Sequence, residues 1–207
     1  MTVYSRSATY KGRPESIEDG FAFLSNEAAP AIMGMPNCIG MSVIADRKTG
    51  YCVVTTAWPT TATMHASVSK IRPIRERAAK ILGGAAEVEE WEVAAMHRRY
   101  TAPEAGRVRV TWLRVEPGGG DATVDDFTTA VLPALGNVRG FCGASLLLNR
   151  EWGRAVISIA CDSDDAVDRL PTRMLRPDGS RVGSGTIEVV DFDLVLPHLR
   201  VPDIQPS

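Results

Sequence analysis

The residues with the clearest capacity for chemistry are Trp58 and His65. Trp58 ends the β-rich run YCVVTTAW, and His65 follows seven residues later, where an amphipathic helix begins. An imidazole there could act as a general base beside an indole wall, and the bland alternatives are a solvent-facing histidine and a core tryptophan. Trp91 and Glu92, mirrored by Ile187 and Glu188, would supply an aromatic wall with a carboxylate or, equally, an exposed strand-edge charge. Tyr4 and Ser5 are polar candidates on a first strand, and Met41, Met64 and Val68 are apolar candidates for a pocket lining. His97 sits beside Arg98 and Arg99 and reads as part of a solvated linker. Nucleophilic catalysis has no support, because no Ser or Cys stands in a recognisable elbow with a base.

Other patterns exclude more than they offer. Cys38, Cys52, Cys142 and Cys161 make neither a C-x-x-C metal spacing nor a dense secreted framework, so they read as reduced, buried small hydrophobes with no metal implied. Pro117-Gly118-Gly119-Gly120 lacks the G-K-[ST] of a phosphate loop, and Asp121 would repel an anion there, so it reads as a turn. A net charge of -2 without a basic stripe argues against nucleic acid. No apolar run approaches a membrane span, no secretory leader is recognisable, and the expectation is a cytoplasmic protein.

The elements that must position these residues come in two copies. PNCIGMSVIADRKTGYCVVTTAW, residues 36 to 58, recurs weakly as residues 139 to 161, and adding 103 maps one copy on the other without a gap. Pro30/Pro133, Gly40/Gly143, Ser42/Ser145, Arg47/Arg150 and Gly50/Gly153 are identical under that offset. The repeat divides the chain into domains at residues 1–97 and 107–196, with a linker at 98–106 and a Pro-containing tail at 197–207.

Within the first copy, Val3 to Tyr10 reads as a strand and Pro14 opens a helix carrying Ile17, Phe21, Leu24, Ala28 and Ala31, which Pro30 should kink or shorten. A hairpin follows, turned at Asp46 to Gly50. Pro59-Thr60-Thr61 opens a second helix interrupted at Pro73 and stopped by Gly83-Gly84, and Val88 to Met96 is a fourth strand. Arg107 to Val115, a helix capped by Thr123, the echo hairpin, a short helix within Asp162 to Arg176 and a strand at Thr186 to Leu196 repeat the order. The class is α+β: two tandem ferredoxin-like β-α-β-β-α-β domains.

Period-2 alternation assigns the hairpin residues to faces. Ile39, Met41, Val43, Ala45, Val54 and Trp58 form the face toward the helices, as do Cys142, Ala144, Leu146, Leu148, Ile157 and Ile159. Small residues line the other face (Gly40, Ser42, Thr55, Ala57 and their counterparts), which suits close approach of a second sheet and an internal pseudo-dimer. An even turn would set Ile39 opposite Trp58 and Cys142 opposite Cys161, two thiols near each other without a covalent link.

This order, the Pro36-Asn37-Cys38-Ile39-Gly40 lead into the hairpin and the strand ending in Trp58 before a helix resemble the antibiotic-biosynthesis-monooxygenase type of dimeric α/β-barrel. The resemblance spans nearly all of residues 1 to 97 and, more faintly, 107 to 196. It implies a pocket between sheet and helices, lined by Tyr4, Met41, Trp58, Met64, Val68 and Trp91, for a small apolar or aromatic ligand. Members include cofactor-free monooxygenases of aromatic polyketide-like compounds and haem-degrading enzymes. Trp58 matches the strand-end Trp of the haem degraders, but Ser67 and Val68 stand where their ligand His falls, and the first strand has only Ser5, Arg6 and Ser7 near their Asn position. The resemblance therefore implies a cofactor-independent monooxygenase-like protein with Trp58 and His65 at its site. The alternative is a non-catalytic ligand-binding or assembly protein on the same fold, as an internal pseudo-dimer or also as a homodimer.

Overall fold

A computed structural model describes residues 2–103, 106–171 and 185–199. By contact the chain resolves into two units, Met1–Trp91 with the described residues from Asp193 onward, and Glu92–Phe192.

In the first unit β1 (Val3–Lys11) leads to a helical stretch made of a short 3-10 turn, α1 (Ile17–Phe23), a π-helical turn (Leu24–Ala28) and α2 (Ala29–Met33). The hairpin is β2 (Gly40–Asp46) and β3 (Tyr51–Trp58), then come α3 (Thr61–Ala66), α4 (Val68–Leu82) and β4 (Ala86–Arg98). Pro30 does not cut the helix short. Its ring would collide with the Asn26 carbonyl in a regular α-turn, and the turn before it widens instead, Ala29 N–H bonding to the Leu24 carbonyl. The second helix also breaks elsewhere than expected. Pro73 lies inside the unbroken α4, while the break falls at Ser67, whose backbone N–H (3.3 Å) and hydroxyl (2.7 Å) both donate to the Met64 carbonyl. Thr60 caps α3 in a reciprocal capping box with Thr63, and Gly83, at φ 83°, ends α4.

The second unit repeats this with β5 (Arg107–Arg114), α5 (Gly120–Asp126), a π-helical turn (Phe127–Val131), α6 (Leu132–Gly136), β6 (Phe141–Asn149), β7 (Arg154–Cys161), α7 (Asp164–Asp168) and β8 (Thr186–Leu199). Here too the closing N–H of the widened turn belongs to the residue before the proline, Leu132 N–H bonding to the Phe127 carbonyl. The helix starts at Gly120 rather than at a Thr123 cap. Thr123 lies inside it and donates back to the Gly119 carbonyl, and Gly118 takes φ 75° in the turn before it. The tail from residue 200 and residues 172–184, which include the end of the expected helical stretch Asp162 to Arg176, lie outside the described residues.

Along the strands the orders β4-β1-β3-β2 and β8-β5-β7-β6 each have the ferredoxin-like sequence. β4 and β8 are longer than their apolar cores suggest. The far half of β4, Glu92 to Arg98, pairs with β6, and the far half of β8, Asp193 to Leu199, pairs with β2. His97, expected in the linker, is therefore a strand residue, stacked on Phe141 at 6.2 Å.

The faces are as the alternation requires except at Ile39 and Cys142. Met41, Val43, Ala45, Val54 and Trp58 join the core under α1, α2 and α4, and Ala144, Leu146, Leu148, Ile157 and Ile159 join that of the second unit. Cys142 does not. A bulge between Phe141 and Gly143 puts Phe141 opposite Cys161 and leaves Cys142 as the extra residue, so the expected Cys142–Cys161 pairing is wrong by one position. All four cysteines are free thiols, and burial pushes that of Cys161 up to about 12. In the first hairpin β2 starts at Gly40, paired with Ala57, so Ile39 stands before the strand and Trp58 pairs with Tyr4 of β1 instead.

Candidate functional site

β1 and β3 place Arg6, Tyr10 and Thr56 on the helix-facing side of the first unit's sheet, with Arg6 directly opposite Thr56. Between that side and the π turn, α2 and α4 lies a small cavity of about 30 Å³. Its polar lining is Arg6, Tyr10, Thr56 and Arg75, and the rest is aliphatic, from residues such as Leu24, Val54 and Ile71. A cavity of about 150 Å³ is needed for benzene, so this one holds no more than water in the present conformation. Ile74 and Arg75 are half-buried and belong to the rim, whereas Tyr10 and Thr56 lie deep, at 2% and 5% exposure.

Arg6 is the organising charge. Its guanidinium is 6% exposed, donates Nε (3.1 Å) and Nη2 (2.6 Å) to one Glu90 oxygen and gives Nη1 to the Met64 carbonyl (3.2 Å). The other Glu90 oxygen meets His65 Nε2 at 2.8 Å. Burial alone would raise the Glu90 carboxyl, but hydrogen bonds from His65 and Arg6 and the Arg6 charge outweigh it and hold Glu90 below its ordinary value. An ionised carboxylate can only accept, so Nε2 of His65 must be the donor, and in the neutral imidazole Nδ1 carries the lone pair. His65 itself is exposed and lies two hydrogen bonds from the cavity wall, through Glu90 and Arg6.

The residues singled out in the sequence are placed around this cavity rather than on it. Trp58 is fully buried, and its Nε1 donates to Thr56 Oγ1 at 3.1 Å, so it touches the lining through Thr56. Met41 and Met64 are fully buried core, Tyr4 and Val68 are half-buried, and Trp91 is buried with Nε1 donating to Ser7 Oγ at 2.9 Å. Glu92 belongs to the second unit and pairs with Arg150. Arg6, Tyr10, Arg75 and Glu90 were not singled out as candidates. A signal for the Arg6–Glu90 pair existed: Arg6 recurs as Arg109 under the offset of 103, and each copy has an acid on its fourth strand, Glu90 and Asp191. Among the described residues no cluster of three His, Cys, Asp or Glu could hold a metal ion, and no helix is long and apolar enough to cross a membrane.

This fold is that of the monooxygenase-type dimeric α/β-barrels. An anthrone oxidase-like protein shares it with a TM-score of 0.67 at 13% identity, over 97% of this chain and 95% of that one. A monooxygenase-like protein from Listeria innocua does so with a TM-score of 0.53 at 8% identity, over 92% and 93%. No protein-family model matches. By sequence the chain belongs to the family of two Mycobacterium tuberculosis (strain ATCC 25618 / H37Rv) proteins. It is 42% identical to Uncharacterized protein Rv2557 over 98% of this chain and 92% of that protein, and 38% identical to Uncharacterized protein Rv2558 over 98% and 87%.

Proposed function

We propose that the first unit binds a small aromatic or polyketide-like compound between β1, β3 and α4 and promotes its oxidation by O₂, the substrate supplying the electrons. The observation that carries this reading is an aliphatic cavity with Arg6 in its wall, tied through Glu90 to an imidazole whose Nδ1 is free to accept a proton. In such a reaction a base takes one proton from an activated CH₂. The carbanion and O₂ form a C–O bond, and protonation gives a hydroperoxide. Loss of the second C–H proton with cleavage of O–O then leaves C=O and one water. His65 serves as the base, held by Glu90, with Arg6 fixing Glu90. Trp58 supports the wall through Thr56.

Anthrone is a suitable probe. With the protein, O₂ uptake should match quinone formed one for one and fall at least tenfold in His65→Gln. Uptake no faster than in buffer, or unchanged in His65→Gln, would remove the catalytic reading or the role of His65 respectively. The second reading is a non-catalytic ligand-binding protein, favoured by the place of His65 outside the cavity lining. It predicts saturable anthrone binding with no O₂ uptake above buffer.

A further inference from the structure

The cavity lining holds two guanidinium groups and no carboxylate. One of the two is neutralised, since Arg6 grips Glu90. The other is not. Arg75 has no hydrogen bond or ion pair to any described residue, while Arg77, two residues on in the same helix, clamps Glu27 with both terminal nitrogens at 2.6 and 2.9 Å. Tyr10 is the second group in the lining without a described protein partner. It is 2% exposed and lines the same cavity, and its hydroxyl likewise has no hydrogen-bond partner among the described residues. Burial raises the Tyr10 hydroxyl above its ordinary range and the nearby Arg75 charge opposes this, so it remains a donor at any physiological pH.

Resting on the small-molecule reading above, we infer that the ligand carries an anionic oxygen, carboxylate or phenolate, which Arg75 binds at the rim and the Tyr10 hydroxyl from within. Two donors of this kind, one charged, against an otherwise aliphatic wall fix both the charge and the orientation of a flat apolar anion. The same site disfavours the uncharged analogue, which leaves Arg75 without a counter-charge. Because the cavity is water-sized in this conformation, the ligand enters by displacing the half-buried side chains of Ile74 and Arg75, the rim residues contributed by α4.

Calorimetric titration with benzoate and 2-naphthoate, each against its amide, tests the charge preference. At least one acid should bind the wild type tenfold or more tightly than its amide. Arg75→Gln should abolish that preference, Arg75→Lys should restore part of it, and Tyr10→Phe should weaken the acid several-fold. Arg72→Gln, an exposed basic neighbour on α4, should change nothing. Melting curves of Arg75→Gln and Tyr10→Phe establish that the variants fold. Equal affinity for acid and amide, or a preference indifferent to Arg75→Gln, overturns the anion assignment while leaving a small-molecule pocket in place. No binding of any of the four compounds overturns both.

Discussion

The two units carry the same ion-paired arginine in different company. Arg6 and Arg109 stand at the same position of the first strand, an offset of 103, and each grips an acid on the fourth strand, Glu90 or Asp191, an offset of 101. The turn arginines repeat the correspondence. Arg47 joins Glu18 and Asp193, and Arg150 joins Asp121 and Glu92. The helix after the third strand begins alike, with Thr60 capping α3 and Ser163 capping α7. The offset of 103 then sets His65 against Asp168. In the first unit the acid gains an imidazole, while in the second two carboxylates share Arg109, whose charge is held by the hydrogen bonds it donates to Asp191 and by the fields of Asp191 and Asp168. Tyr10 corresponds to Leu113 and Trp58 to Cys161, all buried. The ion pair is thus scaffold common to both units, whereas at the corresponding positions the imidazole of His65, the phenol of Tyr10 and the indole of Trp58 belong to the first alone.

The largest test of that contrast is at the strand end. Trp58→Ala should cost about 4 kcal/mol and Cys161→Ala about 1 kcal/mol in chemical denaturation, because the volume removed from the core differs several-fold. Similar losses would mean the two positions carry similar packing despite their sizes.

Next come the ion pairs. Glu90→Ala strands a guanidinium that is 6% exposed with only the Met64 carbonyl for company, and should cost about 3 kcal/mol. Asp191→Ala leaves Arg109 at 22% exposure, still near Asp168, and should cost about 1 kcal/mol. A larger loss for Asp191→Ala would reverse the view that the first pair is the more tightly enclosed.

The smallest effect is in pH. Glu90 is held below its ordinary 4.5 in the folded chain, so its contribution is complete above that value and is lost as pH falls through the lower, folded value. Glu90→Gln should therefore flatten the acid limb of stability below about pH 4.5 by less than about 1 kcal/mol, since the carboxylate is partly solvated. An unchanged acid limb would show that His65 and Arg6 do not favour the ionised form.

Much of the fold was legible in the chain because its signals are local. Gly50 and Gly153 mark the hairpin turns through positive φ (75° and 57°), and the period-2 pattern separated core from open face. The bulge at Cys142 was not legible, since a single inserted residue leaves the surrounding alternation intact until the pairing partner is known. Less of the site could be read. Arg6 and Glu90 are separated by 84 positions, and Arg75 reaches the cavity from a helix whose other basic residues are exposed.

Sequence by itself determined the duplication, the β-α-β-β-α-β order, the hairpin faces and the absence of a nucleophile in a recognisable elbow, because each depends on residues within one element or on their recurrence. Only the tertiary structure decided that β4 and β8 run past their own sheets' cores to pair with β6 and β2, that His65 rests on Glu90, and that Tyr10 and Arg75 meet at one cavity without a hydrogen-bond partner among the described residues. Those outcomes depend on which strands align and at what register, a choice made by the summed packing of distant segments and carried by no single stretch of the chain.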